Sequence, residues 1–213
     1  MIKIENVDVH GVARAIYSAR NAMNSWDKSD SRFETDTMGE NDLKLAKQLV
    51  KAGTDHAKFM RMITVTLDIV APMYWWKEAS TYKVGTVRNS CSTMHTIHKK
   101  EFTLDDFSHE HLTDCYDSNG QLCCEFGWIL ECLINDLNAA RELYLETKDK
   151  KYWWQMIQLL PSSYNQRSTV QLNYAVLRNI YHARKGHKLK EWRDFCEWVK
   201  DELPYSELIT MEG

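Results

Sequence analysis

LLPSSYNQRSTVQLNYAVLRNIYHARKGHKLKE, residues 159–191, is the stretch whose reading decides the fold. After Leu160-Pro161 the apolar residues Val170, Tyr174, Leu177 and Tyr181 recur at helical spacing. The spacing predicts an amphipathic helix that carries Asn173, Asn179 and Arg184. Asn173 and Asn179 are six apart and Arg184 is five further on, which puts them on neighbouring faces and not in one row. Asparagine inside a helix competes with the backbone for hydrogen bonds, so two of them hint at a task. Solvated surface amides would explain each nearly as well. The segment ends in a basic run, Arg178, His182, Arg184, Lys185, His187, Lys188 and Lys190. It suits a nucleotide phosphate, or simply a solvated helix end. Glu191, Asp194 and Glu197 follow at once, which argues against a long nucleic-acid track.

Upstream, residues 62–72 read MITVTLDIVAP. Ile63, Val65, Leu67 and Ile69 alternate with Thr64, Thr66 and Asp68, the signature of a strand covered on one face. Pro72 suits the first turn of a helix through Tyr74-Trp75-Trp76, with Gly85 as a stop signal. Phe126, Ile129, Leu130, Leu133, Ile134, Leu137 and Tyr144 predict a long amphipathic helix. A shorter helix passes through Trp153 and Ile157, and another through Trp192, Phe195, Cys196, Trp198 and Val199. Residues 9–23 read as a helix. Asn41 is placed to cap a second helix stopped at Gly53. Residues 24–41 read as a loop, and 86–121 give no clear period. The expected class is α+β, mostly helical, with a small antiparallel or mixed sheet in one domain over 1–213.

The chain has 213 residues, a net charge of −3 and 44% apolar residues. That composition fits a globular domain and not a general nucleic-acid binder, which carries a basic surplus. No apolar run approaches the ~20 residues that cross a bilayer, and the first residues lack a signal-peptide core. A cytoplasmic location is expected, with the six cysteines as reduced thiols. His95, His98, His109, His111, Cys115, Cys123 and Cys124 invite a zinc reading. Their spacings match no standard zinc pattern, so no metal is assigned.

The order Leu-Pro, Asn, Asn, Arg, together with the strand and Ala-Pro turn at 62–72, resembles the flavin-dependent thymidylate synthases, the ThyX family. The family signature is Arg-His-Arg, seven residues, then Ser. Here Thr81, Tyr82 and Lys83 are followed, after seven intervening residues, by Cys91. The spacing is kept and the residue types change. The resemblance implies a homotetramer that binds FAD, with NADPH and methylenetetrahydrofolate as co-substrates, and passes a one-carbon unit to a dUMP-like pyrimidine nucleotide. It also implies roles. Lys83, Asn173 and Asn179 would touch FAD. Glu78, Arg88, Ser92 and Arg184 would touch the nucleotide, and Cys91 would sit near the reacting ring as the catalytic position. A guanidinium fork suits a phosphate or pyrimidine edge. Lys83 keeps charge without that fork, and Glu78 stands where the family has Gln. Thr93 stands where the family has a further Arg, and Met156, Ile157 and Gln158 replace its arginine before Leu-Pro. Each charged hydrogen bond is worth ~1.5–3 kcal/mol. The alternative is therefore a non-catalytic nucleotide- or partner-binding protein that keeps the ThyX fold.

Overall fold

A computed structural model describes residues 2–212. In chain order the elements are β1 (Lys3–His10), α1 (Val12–Ala19), α2 (Glu40–Lys51), β2 (Thr64–Pro72), α3 (Met73–Ala79), β3 (Thr86–Ser90) and α4 (Thr93–Thr96). Then follow β4 (Cys115–Tyr116), β5 (Leu122–Cys124), α5 (Phe126–Thr147), α6 (Lys150–Leu159), β6 (Asn165–Asn173), α7 (Tyr174–Arg184), α8 (Lys190–Glu202) and α9 (Glu207–Thr210). About half the chain is helical, as the α+β reading expects. It divides into two compact units. One holds 70–78 and 90–168, and the other holds 2–69, 79–89 and 169–212.

The second unit carries most of a four-stranded sheet in the order β1-β2-β6-β3. The alternation in β2 is realised: Ile63, Val65, Leu67 and Ile69 are buried, while Thr64, Thr66 and Asp68 stay partly open. The polar face is used for cross-strand bonding. Asp68 accepts from Asn6 of β1 at 2.8 Å and from Thr169 of β6 at 2.5 Å, and Gln171 donates to Thr66 at 3.3 Å. These links join the same three strands that the sheet order makes neighbours. Buried residues of α1 (Val12, Ala13, Ala15, Ile16), α7 (Tyr174, Leu177, Ile180) and α8 (Trp192, Phe195, Cys196, Val199) supply the helical part of this unit's core.

In the first unit, α5 packs along α6. Its stripe of Leu130, Ile134, Leu137 and Ala140 closes on Ile97, Phe102, Phe107 and Met156. The irregular segment before it is clasped to α5 by one amide. Asn138 accepts from the Phe102 N–H and donates to the Phe102 carbonyl, both at 2.8 Å. Arg141 adds a bond to the His98 carbonyl at 3.1 Å. The first N–H groups of α3 donate to the Tyr164 and Ser162 carbonyls, each at 3.0 Å, so the Leu-Pro turn satisfies a helix start that has no intrahelical partner.

Three expectations change. Residues 165–173 are a strand, and α7 begins only at Tyr174. Asn173 is therefore the N-cap of α7 and not a mid-helix residue: its Oδ1 accepts the Val176 N–H at 3.0 Å. Ser168, Val170 and Leu172 are buried at a period of two, and pairing in the sheet overrides the helical spacing that Val170 shares with Tyr174. Of the helix expected over 9–23, residues 9–10 instead end strand β1 and Gly11 (φ 87°) turns the chain, while α1 and a following 3-10 turn at Arg20–Met23 make up the rest. The Asp36 carboxylate accepts from the N–H groups of Gly11 and Ala13, at 2.6 and 2.8 Å, and anchors that helix start from outside. Finally, α2 starts at Glu40 after Gly39. Asn41 is not its cap; its N–H and that of Asp42 donate to Asp30. The unassigned stretch 86–121 contains β3, α4 and β4.

Candidate functional site

In the second unit, the turn after α3 meets the start and end of α7. Gly85, at φ +77°, approaches Asn173 and Val176 so closely that an added Cβ would lie 3.0 Å from each side chain. The cap bond fixes the Asn173 carboxamide: Oδ1 faces the helix N–H, and Nδ2 is left as a donor on the Gly85 side. Lys83 is exposed, and its ammonium makes no hydrogen bond or ion pair among the described residues. Asn179 lies on the exposed face of α7, and its amide is likewise open. Arg88 is half-buried in β3, and burial lowers its pKa.

At the end of α7, Arg184 is already engaged. Its Nε donates to the Tyr82 hydroxyl at 2.9 Å. Its guanidinium carbon lies 4.9 Å from the Trp192 ring centre and 5.7 Å from that of Tyr82. Tyr82 stands where the signature has histidine, and it holds the arginine expected to grip the nucleotide. A cleft of about 560 Å³ lies on the other side of α7, with Arg61, Arg178 and His182 over a floor of Val50, Ala57 and Met60. Arg178 is turned inward there and donates to the carbonyls of Leu208, Ile209 and Met211 at 2.6–3.3 Å.

The first unit holds Glu78, Cys91 and Ser92. Cys91 is exposed at the rim of a cleft of about 440 Å³. Thr93, Lys99, Lys100, Asp105, Asp106, Tyr164, Asn165 and Arg167 also line it. The backbone of Cys91 is pinned on both sides: its N–H donates to the Arg167 carbonyl at 2.9 Å, and its carbonyl accepts from Gln166 at 2.7 Å. Gln166 is held in turn through its own carbonyl, which accepts from Trp76 at 2.9 Å. Tyr164 is pushed up in pKa, first by burial and then by the neighbouring Asp106 carboxylate and Cys91, so it stays a neutral phenol that can donate or accept. Lys100 pairs with Asp106. Ser92 is the cap residue of the short α4, and its carbonyl accepts from Thr96. Glu78 is half-buried on α3.

Cys91 therefore shares a cleft with Lys99, Lys100, Tyr164 and Arg167. Of these residues the family resemblance assigns only Cys91 to a site. The Lys99-Lys100 pair was visible, but nothing in an aperiodic segment said which way it would face. Among the described residues no group of three or more His, Cys, Asp or Glu side chains could hold a metal ion, and no helix is long and apolar enough to cross a membrane.

No known family profile and no curated protein matches the sequence. Solved structures do match. Thymidylate synthase X from Helicobacter pylori, with FAD and dUMP, superposes with a TM-score of 0.70 at 17% identity, over 100% of this chain and 98% of that one. A second complex of the H. pylori enzyme with FAD and dUMP gives 0.68 at 18% identity, over 98% of each chain. The UMP/dUMP methylase PolB from Streptomyces cacaoi, bound with 5-Br dUMP, gives 0.63 at 15% identity, over 99% of this chain and 93% of that one. At this identity the likeness speaks for architecture alone: the chain has the fold of the flavin-dependent thymidylate synthases along its whole length.

Proposed function

We propose that this protein binds a pyrimidine nucleotide of the dUMP type and FAD, and transfers a one-carbon unit to the pyrimidine as a divergent relative of ThyX. The observation that carries the nucleotide half is the Cys91 cleft, where Lys99, Arg167 and a neutral phenol, beside the Lys100–Asp106 pair and Asp105, line a cavity large enough for a nucleotide. Arg167 and Lys99 would meet the phosphate, Asn165 and Tyr164 the base or sugar, and Cys91 the ring. Glu78, Arg88 and Ser92 would support nucleotide binding as the resemblance implies.

The residues on the flavin side fit in part. The open Nδ2 of Asn173, the Lys83 ammonium and the Asn179 amide offer donors to an electron-rich ring and to phosphate. Flavin would supply the hydride chemistry, and the protein the binding and orientation. NADPH, methylenetetrahydrofolate and a homotetrameric, cytoplasmic setting belong to the same reading.

A second reading, nucleotide or partner binding without catalysis, is favoured by Arg184. It is held between Tyr82 and Trp192 rather than offered to a ligand.

The visible absorption spectrum of the purified protein with added FAD, followed by a dUMP titration, tests both. Flavin bands that shift and stay with the protein through gel filtration support the enzyme. dUMP binding without flavin retention supports the second reading, and loss of both removes the proposal.

A further inference from the structure

The β4–β5 hairpin places two thiols opposite each other. Cys115 and Cys124 are register partners, followed by Tyr116 and Leu122, with a bulge between the two pairs. The turn that sets this register is built from one carboxylate: Asp117 accepts from the N–H groups of Asn119 and Gln121, both at 2.8 Å. The Asp117 N–H closes the hairpin on the Gln121 carbonyl at 2.8 Å. Directly opposed residues of an antiparallel pair present their side chains on the same face, with Cα atoms about 4.5–5.5 Å apart. That spacing lies within the ~4.4–6.8 Å a disulfide spans.

Cys123 is the extra residue of the bulge, and its Sγ is drawn back toward the turn, 3.5 Å from the Gln121 carbonyl. Cys115 is exposed and Cys124 half-buried, both as free thiols. Residues 110–123 are exposed throughout, so a bond here distorts no core. Cys124 is also two residues ahead of α5, whose stripe carries the first unit's core.

We propose that Cys115 and Cys124 are a reversible redox pair that closes the hairpin as a cross-strand disulfide. The thiolate of exposed Cys115 attacks a sulfur of a disulfide oxidant such as oxidised glutathione, and one glutathione thiolate leaves. The thiolate of Cys124 then attacks the Cys115 sulfur of the mixed disulfide and expels the second glutathione. Two protein thiols are oxidised, two glutathione molecules form, and added dithiol reverses the exchange. Closed, the bond ties the first residue of β4 to the entry of α5.

The test is incubation of the full chain with oxidised glutathione, then alkylation, denaturation and peptide mapping by mass spectrometry without reduction. The expected result is one peptide pair joining Cys115 to Cys124, a fall in titratable thiols from six to four, and recovery of all thiols with dithiothreitol. C123S should form the same link. C115S should stop at a glutathione adduct or remain reduced. Slower hydrogen exchange across 116–122 in the oxidised protein checks closure without any variant. Six thiols remaining after treatment, or a link from Cys115 to Cys123, overturns the proposal.

Discussion

Arg184 and Tyr82 are 102 residues apart in sequence, and the guanidinium Nε donates to the phenol oxygen at 2.9 Å. The contact joins the end of α7 to the turn after α3, at the two positions where the ThyX resemblance places a nucleotide-gripping arginine and a signature histidine. A charged donor on a neutral hydroxyl, backed by two aromatic faces, is an internal use of that arginine. A double-mutant cycle of Y82F and R184A in urea unfolding should give a coupling energy of about 1 kcal/mol. A coupling near zero would mean the bond is incidental.

Arg167 gives the direct check on the Cys91 cleft. Losing one charge-assisted phosphate contact costs about 1.5–3 kcal/mol. R167A should therefore weaken dUMP binding by ten- to a hundredfold in a calorimetric titration, with little change in melting temperature because the side chain is exposed. Unchanged affinity would move the nucleotide elsewhere.

Asp42 is fully buried and Arg20 is 7% exposed. Arg20 contacts the Asp42 carboxylate through Nε and Nη2 at 2.7 and 2.6 Å, and Ser29 and Ser31 donate to the other oxygen. Burial alone would raise the Asp42 pKa, but the hydrogen bonds from Ser29, Ser31 and Arg20 and the Arg20 charge together lower it. A depressed folded-state pKa stabilises the fold at pH above the unfolded value of about 3.9, and this contribution is lost as pH falls through the folded value. D42N, which strands a buried guanidinium, should cost about 3–5 kcal/mol at pH 7. It should also flatten the fall in stability below about pH 4.

Gly85 stands at φ +77°, with the Asn173 amide and Val176 within 3.0 Å of where a Cβ would be. G85A should lose about 1–2 kcal/mol from the left-handed backbone alone. It should also displace the Asn173 cap. If the flavin reading holds, FAD affinity falls with it in an absorbance titration, and N173D, which keeps the cap acceptor but puts a charged carboxylate oxygen in place of the Nδ2 donor, lowers it without losing the cap.

Tyr174 is buried completely, and its hydroxyl donates to the Pro204 carbonyl. Burial pushes its pKa upward, so it does not ionise in the working range. Y174F removes that bond and should destabilise by about 0.5–1.5 kcal/mol in denaturant unfolding.

The alternation in β2 and the apolar stripe of α5 were legible because each element carries one unambiguous period. β6 was not. Val170, Tyr174 and Leu177 fit a helical spacing, while Ser168, Val170 and Leu172 fit a strand, and the local sequence does not choose between them. What chooses is the pair of neighbours, β2 and β3, that take up its backbone N–H and C=O groups. The cleft around Cys91 was legible only at Cys91 itself, because Lys99, Lys100 and Tyr164 sit in or beside irregular backbone with no period to orient them.

The sequence by itself determined the class of the protein, its main helices and its strongest strand. Those features follow from propensity, periodicity and capping, which act over a few residues. Tertiary structure alone decided that Arg184 is bound to Tyr82, that Lys99 and Arg167 share a cleft with Cys91, and that Cys115 faces Cys124. Each depends on chain closure over a turn, a sheet register or a helix packing, and no local preference encodes which distant partner such closure supplies.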